Sequence, residues 1–228
     1  MFSFFSKNFQ RRRLLAKNQH KVMQHFLSIP FPIKKNLIKS TGIVSLDIET
    51  TGLNPHEDKI LSIGLVEVEN FAINLESSWH QIVQSPSNIS AQSVTIHQIT
   101  DDQTSAGMSL EQALAILFEK LSGKVMLVHN ATVEQGFINE ACKQLYGCKF
   151  IIPTIDTQAL AQRSFERANE SYKANDLRLF NLRKRFNMPN YKAHNALMDA
   201  IATAELFLAL ANKISPDKNK AYLAEFLS

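Results

Sequence analysis

The run Val44-Ser45-Leu46-Asp47-Ile48-Glu49 is apolar in its even-numbered positions and ends on two carboxylates spaced two residues apart. Such a run reads as a buried strand, and side chains alternate across a strand, so Asp47 and Glu49 face the same way. Two anions side by side against a core repel each other and lose hydration, a cost that a cation relieves. A hard divalent ion such as Mg²⁺ suits the pair, because it prefers oxygen ligands and accepts water and substrate phosphates into its shell. Thr50-Thr51-Gly52 follows, which breaks the strand and lets backbone approach a ligand. The competing reading is a strand end whose two acids face solvent, and the pair alone does not separate the two.

The elements that must position this pair can be read from periodicity. Residues 43–48 form a first strand, 59–68 a second and 79–83 part of a third, with spacing that favours antiparallel hairpins. Ser109 and Gln112 stand like a capping box before an apolar-periodic helix over 110–121, which Gly123 stops. A short strand over 125–129, a helix over 133–145, a strand over 150–155 and a helix over 157–165 come next. The polar stretch 167–175 reads as a loop, and helices resume over 176–186 and 196–211. Three strands followed by alternating helix and strand indicate an α/β domain, a mixed β-sheet flanked by helices. Ligands in such sheets collect at strand carboxyl ends, where Glu49 and His129 would lie.

The chain of 228 residues is 45% hydrophobic and 20% charged, enough for one well-filled domain with an appendage. No run approaches the ~18 apolar residues of a membrane-spanning helix. Cys142 and Cys148 lack metal-ligand spacing and read as reduced thiols of a cytoplasmic protein. The net charge of +4 is uneven: residues 1–39 hold nine Lys or Arg and no acid, while the rest carries 16 basic against 21 acidic residues. This divides the chain into a basic helical N-terminal arm over 1–39, a domain over 40–214 and a C-terminal tail over 215–228, with Ser28-Ile29-Pro30-Phe31-Pro32 separating the arm from the body. Such an arm suggests contact with a polyanion, or else a helix docked on its own domain. The order of Phe2, Phe4, Phe5 and Phe9 before Arg11-Arg12-Arg13 is the reverse of a secretory signal, and the absence of acids before Asp47 also fits a mitochondrial presequence; a cytoplasmic arm is the reading adopted.

Four further strings complete a pattern: Ile96-His97-Gln98-Ile99-Thr100, His129-Asn130-Ala131-Thr132-Val133-Glu134-Gln135-Gly136-Phe137, Asp156-Thr157 with Leu160-Ala161, and His194-Asn195-Ala196-Leu197-Met198-Asp199-Ala200. With Asp47-Ile48-Glu49-Thr50-Thr51-Gly52-Leu53, and in this order, they resemble the DEDDh (DnaQ-like) 3′–5′ exonucleases, the family of the proofreading epsilon subunit of bacterial DNA polymerase III. The resemblance spans about residues 42–212 and implies a ribonuclease-H-like fold and a two-ion mechanism with Mg²⁺ or Mn²⁺. It assigns Asp47, Glu49, Glu134 and Asp199 as metal ligands and His194 as the general base. Phosphodiester hydrolysis needs an activated water, a neutralised phosphate and a stabilised leaving oxygen, which paired ions ~4 Å apart can provide; an imidazole titrates near neutrality and can take the water's proton. His194 and Asp199, five apart, would diverge on one regular helix, so His194 is predicted on the loop or first turn entering the Asp199 helix.

Glu134 departs from the family, which has Asp at that place; the longer side chain either still binds the metal, directly or through water, or leaves the site impaired. Thr50, Thr51, Leu53 and His97 are candidates for substrate contact, with Leu53 wedged against a terminal base or else simply packed. Arg178, Arg183, Lys184 and Arg185 offer phosphate contacts or a solvated helix face. His129 is expected to be structural. The implied activity is cleavage of single-stranded or frayed DNA 3′ ends to nucleoside monophosphates, with a polymerase or other replication or repair protein as a possible partner and no membrane contact. The alternatives are an RNA-trimming, oligoribonuclease-like enzyme and a catalytically impaired nucleic-acid-binding scaffold.

Overall fold

In the computed structural model, which describes residues 6–85, 99–191 and 194–228, the apolar runs of the sequence pair into one mixed sheet. Strands β1 (Ile43–Thr50), β2 (Ile60–Glu69), β3 (Ala72–Ile82), β4 (Val125–Val128) and β5 (Thr154–Asp156) lie in the order β3-β2-β1-β4-β5. β1 pairs antiparallel with β2 and parallel with β4, and β5 extends the parallel edge. The helices are α1 (Lys7–Lys17), α2 (Lys21–Ser28), α3 (Asp101–Ser105), α4 (Leu110–Leu121), α5 (Ala131–Tyr146), α6 (Thr157–Arg167), α7 (Leu179–Arg185) and α8 (Ala196–Ile214). This is the mixed α/β sheet flanked by helices, with a helical N-terminal arm, that the sequence predicts.

Strand alternation splits the core in two. Val44, Leu46 and Ile48 of β1 and Met126 and Val128 of β4 face one side and bury α2, α4 and α5. Ile43, Val125 and Leu127 face the other and bury α6, α7 and α8. Ser45, Asp47 and Glu49 share the parity of Ile43, so the acidic pair faces α8.

Both terminal segments are packed onto this body. Met23, Phe26 and Leu27 of α2 are fully buried, and Phe31 nearly so, against the first core layer. Buried Arg11 donates to the carbonyls of Leu27 and Ser28, and the Asn18 amide donates to the carbonyl of Tyr146 at 2.8 Å. At the other end, Ala221, Leu223 and Phe226 are fully buried, and the Ser228 N–H donates to the Thr154 carbonyl at 3.0 Å. Among the described residues no helix is long and apolar enough to cross a membrane, and Cys142 and Cys148 are free thiols.

The differences from the sequence reading have local causes. β3 begins at Ala72, earlier than expected, because Asn70 and Phe71 take φ of 49° and 59° and close a two-residue hairpin without the glycine that usually marks one. β5 is shorter than expected because Pro153 has no N–H to give, although its carbonyl accepts from Met126 N. The expected helix over 176–186 is a 3₁₀ turn, Ala174–Leu177, followed by α7. Truncating Phe26, a fully buried ring of the arm, is expected to cost about 3–5 kcal/mol by urea unfolding. Arg12→Ala, at an exposed position of α1, should change stability by about 0.5 kcal/mol or less.

Candidate active site

Asp47 and Glu49 approach the carboxyl end of β1, and Asp199 sits in the first turn of α8. One carboxylate oxygen from each lies within 4.8 Å of the other two. Glu49 and Asp199 are nearly buried, at 5% and 8% exposure. Asp47 and Glu49 are thus gathered on one face beside the body of the protein, the first of the two readings of the pair.

Three features bring α8 onto β1. Gly64 of β2 stands opposite Asp47, and a Cβ there would come within 2.1 Å of Leu197 N and 2.2 Å of the Ala196 carbonyl carbon. Only a residue without a side chain lets the start of α8 cross the sheet at this point. Ser45, two residues before Asp47, donates its hydroxyl to the Ala200 carbonyl at 2.7 Å. Asn195 caps α8 by accepting from Met198 N at 3.1 Å. A bulge between Glu49 and Thr50, opposite Leu61, ends regular pairing beside the cluster.

His194 lies on the loop just before α8, as expected, with φ of 68° and an exposed side chain. Its backbone N–H donates to Asp199 Oδ2 at 3.0 Å, so the loop is tied to the carboxylate itself. Glu134 is in the first turn of α5 and only 3% exposed. It is therefore no surface acid, and its buried Oε2 has no hydrogen-bond partner among the described residues. It is not among the three residues that converge within 4.8 Å, yet its charge acts on Asp47. Burial, then Glu134, Glu49 and Asp199, hold the Asp47 carboxyl well above the usual range. Burial, with a smaller push from Asp156, raises Glu134 to about 8. A buried carboxylate group that resists ionising on its own is what a divalent cation relieves, and the donor set is all oxygen, so the residues fit a hard metal ion.

α5 is set in place from outside its own sequence. Its N-cap, Asn130, is left-handed with φ of 70° and makes no side-chain cap. Asp156, at the end of β5, accepts instead from Asn130 N and Ala131 N at 3.1 and 2.9 Å, while also capping α6 through Gln158 N and Ala159 N. His129 is structural: Thr157 Oγ1 donates to the Val128 carbonyl and so accepts from His129 Nδ1 at 2.8 Å. Burial lowers this imidazole to about 4 and keeps it neutral.

The loop after β1 divides the substrate candidates. The Thr50 hydroxyl donates to the Gly52 carbonyl, and the Thr51 hydroxyl bonds Asp58 Oδ1 at 2.8 Å, so both shape the loop. A Cβ at Gly52 would meet Asp58 Oδ2 at 2.5 Å, which is why that carboxylate can reach in. Leu53 is presented at 83% exposure, which rules out ordinary packing within the chain. His97 lies outside the described residues. Arg183 is not on a solvated face: it is fully buried, bonding the carbonyls of Ala202 and Pro189 and Glu205, with Tyr191 4.5 Å from its guanidinium. Arg185 pairs with Glu170 and lies 4.1 Å over Phe165. Arg178 and Lys184 are exposed.

Sequence reasoning passed over Gly64, Ser45 and His80, and gave Asp156 only as part of the segment entering the next helix. A glycine inside a strand signals close backbone approach, and an Asp just before a helix signals a cap, so two of these were detectable. His80 pairs with Gly64 in β3 and faces the side of Asp47, where Glu49 acts on its charge; only the register reveals it.

A mixed sheet with acids at the end of its first strand and on the final long helix defines a ribonuclease-H-like nuclease fold. The exonuclease family model RNase_T matches residues 44–207, and the chain belongs to that family. It is similar to the PolC-type DNA polymerase III of Thermotoga petrophila, 30% identical over 182 residues that are 78% of this chain and 13% of that protein. It is also similar to DNA polymerase III subunit epsilon of Buchnera aphidicola subsp. Baizongia pistaciae, 30% identical over 173 residues, 72% of this chain and 68% of that protein. The nuclease domain of 3′hExo, a DEDDh family member solved with rAMP, superposes with a TM-score of 0.68 at 16% identity, covering 85% of this chain and 98% of that one. The chain thus spans only a small part of the PolC-type relative, and the resemblance to DEDDh exonucleases seen in the sequence holds.

Two outcomes follow. Gly64→Ala should displace the start of α8 and weaken the thermal stabilisation given by Mg²⁺ by about tenfold in apparent affinity, while leaving the far-UV spectrum intact. Because Asp47 and Glu134 are raised, protons compete with a cation for them; in the metal-free protein their burial becomes costlier as pH rises towards those raised values. The melting-point difference between Mg²⁺ and chelator should therefore grow from about pH 6 to about pH 8, and a flat difference would contradict the assignment.

Proposed function

We propose that the protein is a metal-dependent 3′–5′ exonuclease that hydrolyses phosphodiester bonds at single-stranded or frayed DNA 3′ ends and releases nucleoside monophosphates. The observation that carries this reading is the convergence of Asp47, Glu49 and Asp199 within 4.8 Å, from β1 and α8, beside the loop of His194. In this reading Asp47, Glu49, Asp199 and Glu134 hold two ions, Mg²⁺ or Mn²⁺. Bound there, the ions supply neutralisation of the phosphate charge and a more acidic water.

The chain's own residues do the rest. His194, exposed and fixed by its N–H to Asp199, takes the proton of the attacking water through its imidazole. Leu53 wedges against the terminal base from the loop that Thr50 and Thr51 shape, and His97 joins the substrate contacts. The names of the two relatives, both DNA polymerase III proteins, favour DNA and a polymerase as partner; another replication or repair protein as partner, and a cytoplasmic location, belong to the same reading. A second reading, an impaired scaffold, is favoured by Glu134 alone, since it stands in place of Asp and outside the group of three.

A 5′-labelled single strand incubated with Mg²⁺, Mn²⁺ or chelator tests this directly. The expected product is a ladder shortened from the 3′ end, absent with chelator; binding without cleavage under both metals would instead support the scaffold, and a matched RNA strand reports sugar preference. His194→Ala should lower kcat by about 100-fold or more. Glu134→Gln should lower it comparably, and unchanged cleavage would remove Glu134 from the site.

A further inference from the structure

The ends of α1 and α5 meet on the side of the domain away from Glu134. The Asn18 amide bonds the Tyr146 carbonyl there, fixing the two helix ends together. Between them lies an open groove of about 430 Å³, with Leu14 and half-buried Cys148 against it and Lys17, Lys143 and Lys149 lining it. All three lysines are exposed, and Lys143 alone among them is in an ion pair among the described residues, with Glu140.

The groove continues a stripe along α1. Phe9, Arg13 and Lys17 are four residues apart and share one helix face, with the Arg13 guanidinium 6.0 Å over the partly exposed Phe9 ring. Neither α1 nor any residue before Asp47 contributes an acid. Positive charge interleaved with an aromatic ring along a track is the pattern that holds a single strand by its phosphates while tolerating any base. Lys143 is nine residues beyond Glu134 on α5, about 14 Å along the helix axis, so a strand with its end at the acids need extend only a few nucleotides to come near.

We infer that the groove between α1 and α5, with the Phe9–Arg13–Lys17 stripe, is a second contact for the nucleic-acid strand, remote from the chemistry. The contact deepens the nuclease reading and rests on it. It holds upstream phosphates of long substrates and leaves the shortest ones untouched, so the docked arm raises affinity without supplying a group to the reaction. The charge complementarity is with the phosphate backbone that DNA and RNA share.

The full chain carrying Lys17→Glu, Lys143→Glu and Lys149→Glu tests it. Binding of a labelled oligo(dT) of about 20 nucleotides, longer than a typical single-strand site, is followed by anisotropy with chelator present. Affinity should fall by about tenfold or more, and the slope of log K against log salt should lessen by about 2 for three lost phosphate contacts. Cleavage of a dinucleotide should be unchanged. Lysines at helix ends also offset helix dipoles, so melting points are compared, and the three Lys→Gln changes replace the reversals if those unfold. Lys34→Glu, Lys35→Glu and Lys220→Glu, outside the groove, make the same change of net charge and should have a smaller effect. Unchanged oligo(dT) affinity in the groove variant, or an equal loss in the control, overturns the proposal. If the unaltered protein cleaves neither substrate, the nuclease reading fails, while the affinity comparison still decides the groove.

Discussion

The architecture is organised around an electrostatic difficulty: several carboxylates must be held together where water is scarce. Three acids within 4.8 Å, two of them nearly buried, repel one another in a setting that screens poorly. A flexible chain would separate them. Here β1 is central in the sheet: Asp47 and Glu49 are held in the β2 ladder opposite Gly64 and Ser62, and the start of the strand is paired with β4 over Ile43, Val44 and Ser45. Asp199 is held by a helix that is bonded to β1 through Ser45 and seated over Gly64. The scaffold therefore bears the cost of the cluster, and a cation joining it would release that cost.

The same logic explains why so much of the molecule is committed to two helix starts. α8 brings Asp199 and α5 brings Glu134; α8 carries its own cap in Asn195, whereas α5 depends on a neighbour for its start. α5 has an N-cap that makes no side-chain bond, so Asp156 from the neighbouring strand satisfies its first N–H groups. That one carboxylate also caps α6, which locks the two helices and the strand between them into a unit. In the layer that α2, α4 and α5 share, α2 buries Phe26 against Phe118 and Phe150, with ring centroids 5.2 and 6.1 Å away, so the basic arm is held by core packing.

Environment, not residue type, sorts the candidate groups. His129 and His194 both begin motif strings, but one is enclosed and bonded to Thr157 while the other is exposed on a left-handed turn over Asp199. Arg183 and Lys184 are neighbours on one short helix, yet the first is a buried clamp on α8 through Ala202 and Glu205 and the second is exposed. A buried guanidinium bonded to carbonyls and a carboxylate through its two terminal nitrogens is a packing element.

The sequence alone determined the acids, their strand and their likeness to one family, because Asp47 and Glu49 two apart on an apolar run have a fixed relation under strand geometry. It also determined that His194 had to precede its helix, since five residues is the wrong interval for one helical face. It could not decide whether Glu134 was surface or interior, whether Arg183 met phosphate or protein, or whether the arm was free. Those depend on which distant residues supply the neighbours: Asp156 for α5, Ala202 and Glu205 for Arg183, Phe118 and Phe150 for Phe26. Local spacing is written in the chain, but burial and partnership between residues far apart arise only once the sheet has set its register.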